Sequence, residues 1–333
     1  MKRIARPGLL WAAAVSCLLA TGAQAQSAPA TAVPTPAATS AGYDVVNASF
    51  ACQNTTCDAE MWLPKGVNKP PVIVMAHGFG ALKDWGLKPF AQRFVQAGFA
   101  VVRFDYRGFG KSGGLPRLVV NGKEHVKDWV SAIDAIKARP EVDGNRLGIW
   151  GSSYSGGQVL VAAAERPGVV KAVSSQVPFV SGLQSALKFP ITKLPLANWL
   201  ALKDMLRADS EQPVYVPIIA KDGEMAALIC PECEKGYAQL VPPGGHNQVA
   251  ARVFLTLPFW FPGQSADKVE APTLVIAAEN DGLIPVSGVR DTAAKLKKGE
   301  YVELKGADHF SPYSGPVFEQ VVGKQTAFFK KNL

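Results

Sequence analysis

From about residue 70 onward the chain alternates between two kinds of segment. One kind is short, solidly apolar and rich in β-branched residues. It appears as VIVMA at 72–76, FAVVRFD at 99–105, RLGIW at 146–150, VVKAVSSQ at 169–176, TLVIAAEND from 273 and YVELKG from 301. The other kind repeats apolar residues at helical spacing. Residues 123–138 place Val126, Trp129, Val130, Ile133 and Ile136 on one helix face. Helical patterns also run across 87–97, over SGGQVLVAAAE at 155–165 and from 316 toward the end. Strands separated by helix-length segments predict an α/β fold, with a mostly parallel central sheet and helices on both faces. Such strands are buried on both sides, so they need no polar alternation.

One interval breaks this rhythm. Between Gln176 and Pro272 lie about ninety-five residues rich in Pro, Leu and aromatics, including FPITKLPLANWLALKDML at 189–206 and VFLTLPFWFPG at 253–263. A strand-to-strand crossover needs far fewer. The interval is read as a cap inserted at about 177–270. The folded domain is expected to span 43–333, without internal repeats.

The first residues read differently. MKRIAR is followed by GLLWAAAVSCLLA, an apolar run too short to span a bilayer, and then by the small residues AQA at 23–25. Residues 1–25 are therefore expected to be a signal peptide, with Gln26 the first mature residue. A lipid-attachment reading at Cys17 fits less well. Residues 26–42, QSAPATAVPTPAATSAG, carry no charge and little to bury, and read as a disordered linker. No later stretch has the length of a membrane span. The expected product is periplasmic or secreted, without stable membrane insertion after signal cleavage.

Composition narrows the partners. The 333 residues are 48% hydrophobic and 19% charged, ordinary values for a globular protein. The net charge of +8 includes Lys2, Arg3 and Arg6, and the remainder is spread without long basic runs. Nucleic acid is therefore not an expected partner. Beyond Cys17 there are four cysteines, Cys52, Cys57, Cys230 and Cys233. In an oxidising compartment they predict two disulfides. Cys52 and Cys57 would clasp a hairpin around QNTT. Cys230-Pro-Glu-Cys233 would close a tight loop, with a redox pair or half a zinc site as alternatives.

Ligands of α/β sheets bind at the carboxyl ends of the strands. Those ends deliver His77-Gly78-Phe79-Gly80, then Asp105-Tyr106-Arg107-Gly108-Phe109-Gly110, then GSSYSGG at 151–157, then Asp281, then His309. With HGFG (77–80), DYRGFGKSGG (105–114), GSSYSGG, ENDGLIP (279–285) and GADH (306–309), the chain resembles the α/β-hydrolase superfamily, within its Xaa-Pro-dipeptidyl-peptidase-like, serine-aminopeptidase-like and dienelactone-hydrolase-like groups. The resemblance covers the folded chain from about residue 70 to the end, apart from the cap. A serine, an acid and a histidine follow in that chain order, which is the order of this superfamily's triad.

Three serines compete for the role of nucleophile. A nucleophile elbow is a strained strand-to-helix turn that demands small residues two places before and two places after. Ser152 has Trp150 and Tyr154 there and is excluded. Ser155 has Ser153 and Gly157. Ser153 has Gly151 and Ser155, and the register of RLGIW favours it. Ser155 then falls in the first helical turn, where a hydroxyl can cap. A Gly/Ser loop without chemistry is the alternative.

His309 is the expected base, since histidine titrates near neutral pH and can take the serine proton. His77 would shape the oxyanion loop, His125 would be a surface or capping residue, and His246 would lie in a solvated loop of the cap. Asp281 would orient His309, with Glu279 and Asp308 as competitors. The resemblance implies oxyanion donors at the backbone N–H groups of Phe79 and Tyr154. Asp105 and Arg107 would brace their loop. Tyr106, Trp199, Phe259 and Trp260 are candidate pocket walls, alongside Phe189, Phe254 and Phe261.

The sequence thus points to an exported serine hydrolase acting on a carboxylic ester or thioester through an acyl-enzyme. No metal or organic cofactor is implied. A serine peptidase or amidase is the alternative, and it would need a cap carboxylate such as Glu232, Glu234 or Asp209 to hold an amino terminus. A non-catalytic binding protein on the same fold is the reading from another class.

Overall fold

The computed structural model describes residues 42–207 and 212–333. The signal-peptide reading, Cys17, Asp209 and the linker up to residue 41 lie outside the described residues.

The strands are β1 (Tyr43–Asn47), β2 (Phe50–Cys52), β3 (Thr55–Cys57), β4 (Ala59–Pro64), β5 (Pro71–Ala76), β6 (Ala100–Phe104), β7 (Asp143–Ser152), β8 (Val170–Gln176), β9 (Tyr215–Val216), β10 (Val249–Ala250), β11 (Thr273–Ala278) and β12 (Gly299–Leu304). The helices are α1 (Lys88–Gln96), α2 (Gly122–Lys137), α3 (Tyr154–Glu165), α4 (Gly182–Ala186), α5 (Leu194–Met205), α6 (Cys233–Ala238), α7 (Val253–Thr256), α8 (Val286–Ala293) and α9 (Gly315–Asn332). Eight strands form one sheet in the order β1-β4-β6-β5-β7-β8-β11-β12. The pairs from β6 through β12 are parallel, and β4 pairs antiparallel with both β6 and β1.

The solid apolar strands follow from helices on both faces. In β5, Val72, Val74 and Ala76 face one cluster, where Trp129 and Ile133 of α2 and Val159 of α3 pack. Ile73 and Met75 face the other, against Phe90 and Phe94 of α1 and Phe329 of α9. Alternate residues thus enter two different cores, and neither set can be polar. Truncating a side chain as enclosed as Trp129 costs about 3–5 kcal/mol. Asn121 caps helix α2, its side chain accepting from the N–H groups of Lys123 and Glu124.

Between β8 and β11 the chain builds α4 to α7 and the small antiparallel pair β9–β10. Asp204 of α5 is fully buried, and Arg252 before α7 donates to it at 2.7 Å through Nε. Removing either partner would strand a charge in this segment. Cys52 is bonded to Cys57 across the β2–β3 hairpin, and Cys230 to Cys233 at the start of α6. Among the described residues no helix is long and apolar enough to cross a membrane.

Candidate active site

Strand β7 ends at Ser152 and α3 starts at Tyr154, so Ser153 occupies the turn between them with φ 57° and ψ −118°. A residue with a side chain pays roughly 1–3 kcal/mol for such a conformation. The neighbouring strand holds it there. Ser153 N–H donates to the carbonyl of Gln176 at 2.9 Å, and its own carbonyl accepts from Phe179 N–H at 2.9 Å. The turn has no room for side chains at two nearby positions. A Cβ on Gly151 would stand 2.2 Å from the Ser155 carbonyl, and one on Gly157 would stand 2.0 Å from the Phe179 carbonyl.

The three serines take three different environments. Ser152 is buried, with its Oγ 2.6 Å from the Tyr313 hydroxyl and accepting from Gln176 Nε2 at 3.0 Å. Ser155 is also buried. Its Oγ donates to the His77 carbonyl at 2.5 Å and accepts from the Tyr106 hydroxyl, which in turn accepts from Trp129 Nε1 at 2.8 Å. Ser155 therefore does not cap α3, which has no side-chain cap. It ties the elbow to the HGFG loop instead, and this explains how a hydroxymethyl fits where a glycine is usual. Ser153 alone of the three lines a cavity.

His309 and Asp281 meet Ser153 there. His309 Nε2 lies 2.9 Å from Ser153 Oγ, and His309 Nδ1 lies 2.6 Å from Asp281 Oδ2. The other carboxylate oxygen, Oδ1, accepts from the N–H groups of Leu283 at 2.9 Å and Ile284 at 2.7 Å. The turn after β11 thus fixes the carboxylate before histidine is considered. The competing acids are engaged elsewhere. Glu279 accepts from Gly306 N–H and Lys305, and Asp308 accepts from the N–H groups of Phe310 and Ser311.

The remaining histidines correct two expectations. His125 is buried rather than superficial: its ring stacks on Tyr106 at 4.2 Å and its Nδ1 lies 3.0 Å from the Tyr154 hydroxyl. Early-turn position on α2 said nothing of the aromatic loop that covers that face. His246 is half-buried rather than solvated, and its Nε2 donates to the Gly80 carbonyl at 2.9 Å. His77 is buried beside the elbow, with Nδ1 donating to the Gly78 carbonyl at 3.0 Å. Asp105 accepts from the backbone N–H of Lys83, and Arg107 pairs with Asp128 and Glu124 on α2.

Burial pushes His77 down to about 4 from its ordinary 6.5, and pushes His125 well down too. The folded state therefore binds fewer protons than the unfolded chain. The stability linked to these rings is fully present above pH 6.5 and is lost as pH falls toward 4. For His77 the loss between pH 7.5 and pH 5 is about 2 kcal/mol. Urea unfolding midpoints should fall over that interval. An unchanged midpoint would contradict the buried neutral rings.

The cavity has a volume of about 140 Å³. Phe79 and Tyr154 line it beside Ser153, and its walls include Phe179, Phe189, Phe254 and Leu257. Five predicted walls, the half-buried Phe261 among them, lie elsewhere. Tyr106 is sealed behind the elbow by Ser155 and Trp129. Trp199 and Phe259 turn outward and are 63% and 75% exposed. Trp260 packs on the start of α2, where a Cβ on Gly122 would meet its ring at 2.5 Å. An aromatic-rich segment does not reveal which face of each short helix points inward. Two further walls are Phe179, three residues beyond β8, and Leu283, inside ENDGLIP and two residues after Asp281; neither position carries a signal that it faces a cavity. Lys188 stands at the cavity with its Nζ donating to the Asp281 carbonyl at 2.6 Å.

Comparison with known proteins agrees with this architecture. A family model described as X-Pro dipeptidyl-peptidase (S15 family) matches residues 54–214. The quorum-quenching protein AidA of Acinetobacter baumannii is 36% identical over 290 residues, covering 86% of this chain and 94% of that protein. The thiohydrolase aneE of Aspergillus aculeatus is 27% identical over 274 residues, covering 78% of this chain and 84% of that one. Among solved structures, the α/β hydrolase GrgF from Penicillium matches with a TM-score of 0.74 at 22% identity, covering 87% of this chain and 99% of its own. With an eight-stranded, mostly parallel sheet and a relative this similar over nearly its whole length, the chain belongs to the α/β-hydrolase superfamily.

Proposed function

We propose that the protein is an exported serine hydrolase that cleaves small or medium carboxylic esters or thioesters through an acyl-enzyme on Ser153. The observation that carries this reading is the unbroken line from Ser153 Oγ through His309 to Asp281, at 2.9 and 2.6 Å, opening on an apolar cavity.

In this reading Ser153 Oγ attacks the acyl carbon while its proton passes to His309 Nε2. The carbonyl oxygen becomes an oxyanion and accepts from the N–H groups of Phe79 and Tyr154. The tetrahedral adduct collapses, and His309 returns the proton to the departing alkoxide or thiolate. Water then repeats the sequence: its oxygen bonds to the acyl carbon as His309 takes its proton, the acyl–oxygen bond to Ser153 breaks to release the carboxylic acid, and His309 returns the proton to the serine. Asp281 accepts from Nδ1–H throughout, so Nε2 presents a lone pair to the serine.

Two features favour ester or thioester over peptide. Among the described residues that line the cavity there is no carboxylate to hold a free amino terminus. Glu232 is spent on Gly282 N–H, and Glu234 is exposed on α6. The name of the thiohydrolase relative keeps thioesters in view. Export is supported by the two disulfides, which persist in oxidising compartments.

The test is a substrate panel of p-nitrophenyl acyl esters, acyl thioesters and aminoacyl-arylamides. We expect kcat/KM for the best ester or thioester to exceed that for any arylamide by at least about a hundredfold. Faster turnover of an arylamide with a free amino terminus would move the assignment to a peptidase.

A further inference from the structure

The segment from Cys230 to Ala238 touches each of the three loops that carry the candidate chemistry. At the acid loop, Glu232 Oε1 accepts from Gly282 N–H at 2.7 Å. The approach is close enough that a Cβ on Gly282 would stand 2.5 Å from that carboxylate. At the oxyanion loop, the buried Tyr237 hydroxyl donates to the Phe79 carbonyl at 2.9 Å. At the histidine loop, α6 lays its backbone on the ring of Phe310, where a Cβ on Gly236 would meet the ring at 2.3 Å. Within the segment, Cys233 is bonded to Cys230, and Gly236 N–H donates to the Glu232 carbonyl to form the first turn of α6.

We infer that the disulfide-closed loop and α6 form a brace for the active site, with Glu232 and Tyr237 as positioning residues for the acid and oxyanion loops. The inference rests on the assignment of Ser153, His309 and Asp281 given above. The physical reason is economy of freedom. Gly282 follows the acid directly, and its N–H has a fixed partner only while Glu232 stays where the disulfide holds it. The Phe79 peptide likewise loses its anchor if α6 shifts. Displacements well under 1 Å at reacting groups are felt in rate.

The brace should also respond to thiol reagents. Cys230 is partly exposed, whereas Cys52 and Cys57 are sealed. An added dithiol should therefore reduce Cys230–Cys233 first. Two electrons and two protons pass to the cysteine sulfurs as the reagent closes to its own disulfide.

The first measurement is fluorophosphonate labelling of the wild type, mapped to a residue. Without an adduct on Ser153 the underlying assignment fails, whatever the brace does. With that adduct in hand, Glu232→Ala and Tyr237→Phe should each lower kcat about tenfold, with KM within about threefold of wild type. In Glu232→Ala the acidic limb of the pH–rate profile should move to lower pH, because a loosened Asp281 stabilises the imidazolium less. Glu232→Gln keeps the acceptor and loses the charge, and should retain the wild-type rate and limb. Wild-type kcat in both deletions, or a Gln variant as impaired as Ala, would overturn the inference. Dithiothreitol treatment of the wild type covers the case of variants that do not fold. Activity should fall about tenfold with unchanged far-UV circular dichroism and return on reoxidation. Full activity with Cys230 and Cys233 both alkylated would equally overturn it.

Discussion

Ser153→Ala should lower hydrolysis of p-nitrophenyl acetate by roughly 10⁴- to 10⁶-fold, while Ser155→Ala keeps at least about a tenth of the wild-type rate. The difference follows from where the two hydroxyls stand. Ser153 Oγ faces His309 Nε2 and the cavity. Ser155 Oγ faces the His77 carbonyl and the Tyr106 hydroxyl inside the core. Deleting Ser155 Oγ leaves two buried polar groups short of a partner, a cost of about 1–3 kcal/mol each in stability. That change should appear as a lower Tm and only secondarily as a lower kcat. Ser152→Ala should behave alike, since it deprives Tyr313 and Gln176. Loss of hydrolysis in Ser155→Ala together with its survival in Ser153→Ala would reassign the nucleophile.

Asp281→Asn should cost about 10⁴-fold in kcat near neutral pH, with little loss of stability. The magnitude rests on how the carboxylate is held. Oδ1 accepts from the N–H groups of Leu283 and Ile284, so an asparagine keeps its carbonyl oxygen on that side. Its NH₂ then points at His309 Nδ1, which must accept. The ring proton moves to Nε2, and the lone pair that Ser153 needs disappears. Glu279→Gln and Asp308→Asn should leave kcat within about twofold, because both carboxylates serve nearby backbone N–H groups. A larger loss in either of those variants than in Asp281→Asn would displace Asp281 from its role.

The sheet was legible because parallel strands between two helix layers leave an unmistakable pattern. Val72 to Ala76 alternate between two apolar cores, so no polar residue interrupts the run. The edge was less legible. β1 pairs antiparallel with β4, and nothing in YDVVN or AEMWLP announces that direction. At the site, the elbow could be read locally because Gly151 and Gly157 are demanded by backbone contacts within the turn and with the segment after β8.

What escaped the sequence depends on contacts between distant segments. His125, which reads as a surface or capping residue, and Tyr106, which reads as a pocket wall, instead stack on one another in the core from separate elements. Trp199 and Phe259 sit in the right segment but on the outward face. Helix α5 is apolar on several sides, with Ala197 buried and Leu196 and Leu202 exposed, so periodicity could not name its inner face. In the sequence Glu232 reads as a candidate to hold a substrate's amino terminus, whereas its carboxylate accepts from Gly282 N–H. Its bond to Gly282 spans fifty positions and has no sequence signature.

The most direct test of the central claim is to trap the acyl-enzyme analogue. Full-length protein treated with diisopropyl fluorophosphate should gain one adduct by intact mass, and peptide mapping should place it on Ser153. Ser153→Ala should gain none, and His309→Ala should react far more slowly, because the hydroxyl then lacks its base. Inactivation accompanied by an adduct on any other residue, or ester turnover that persists undiminished without an adduct, would contradict the account.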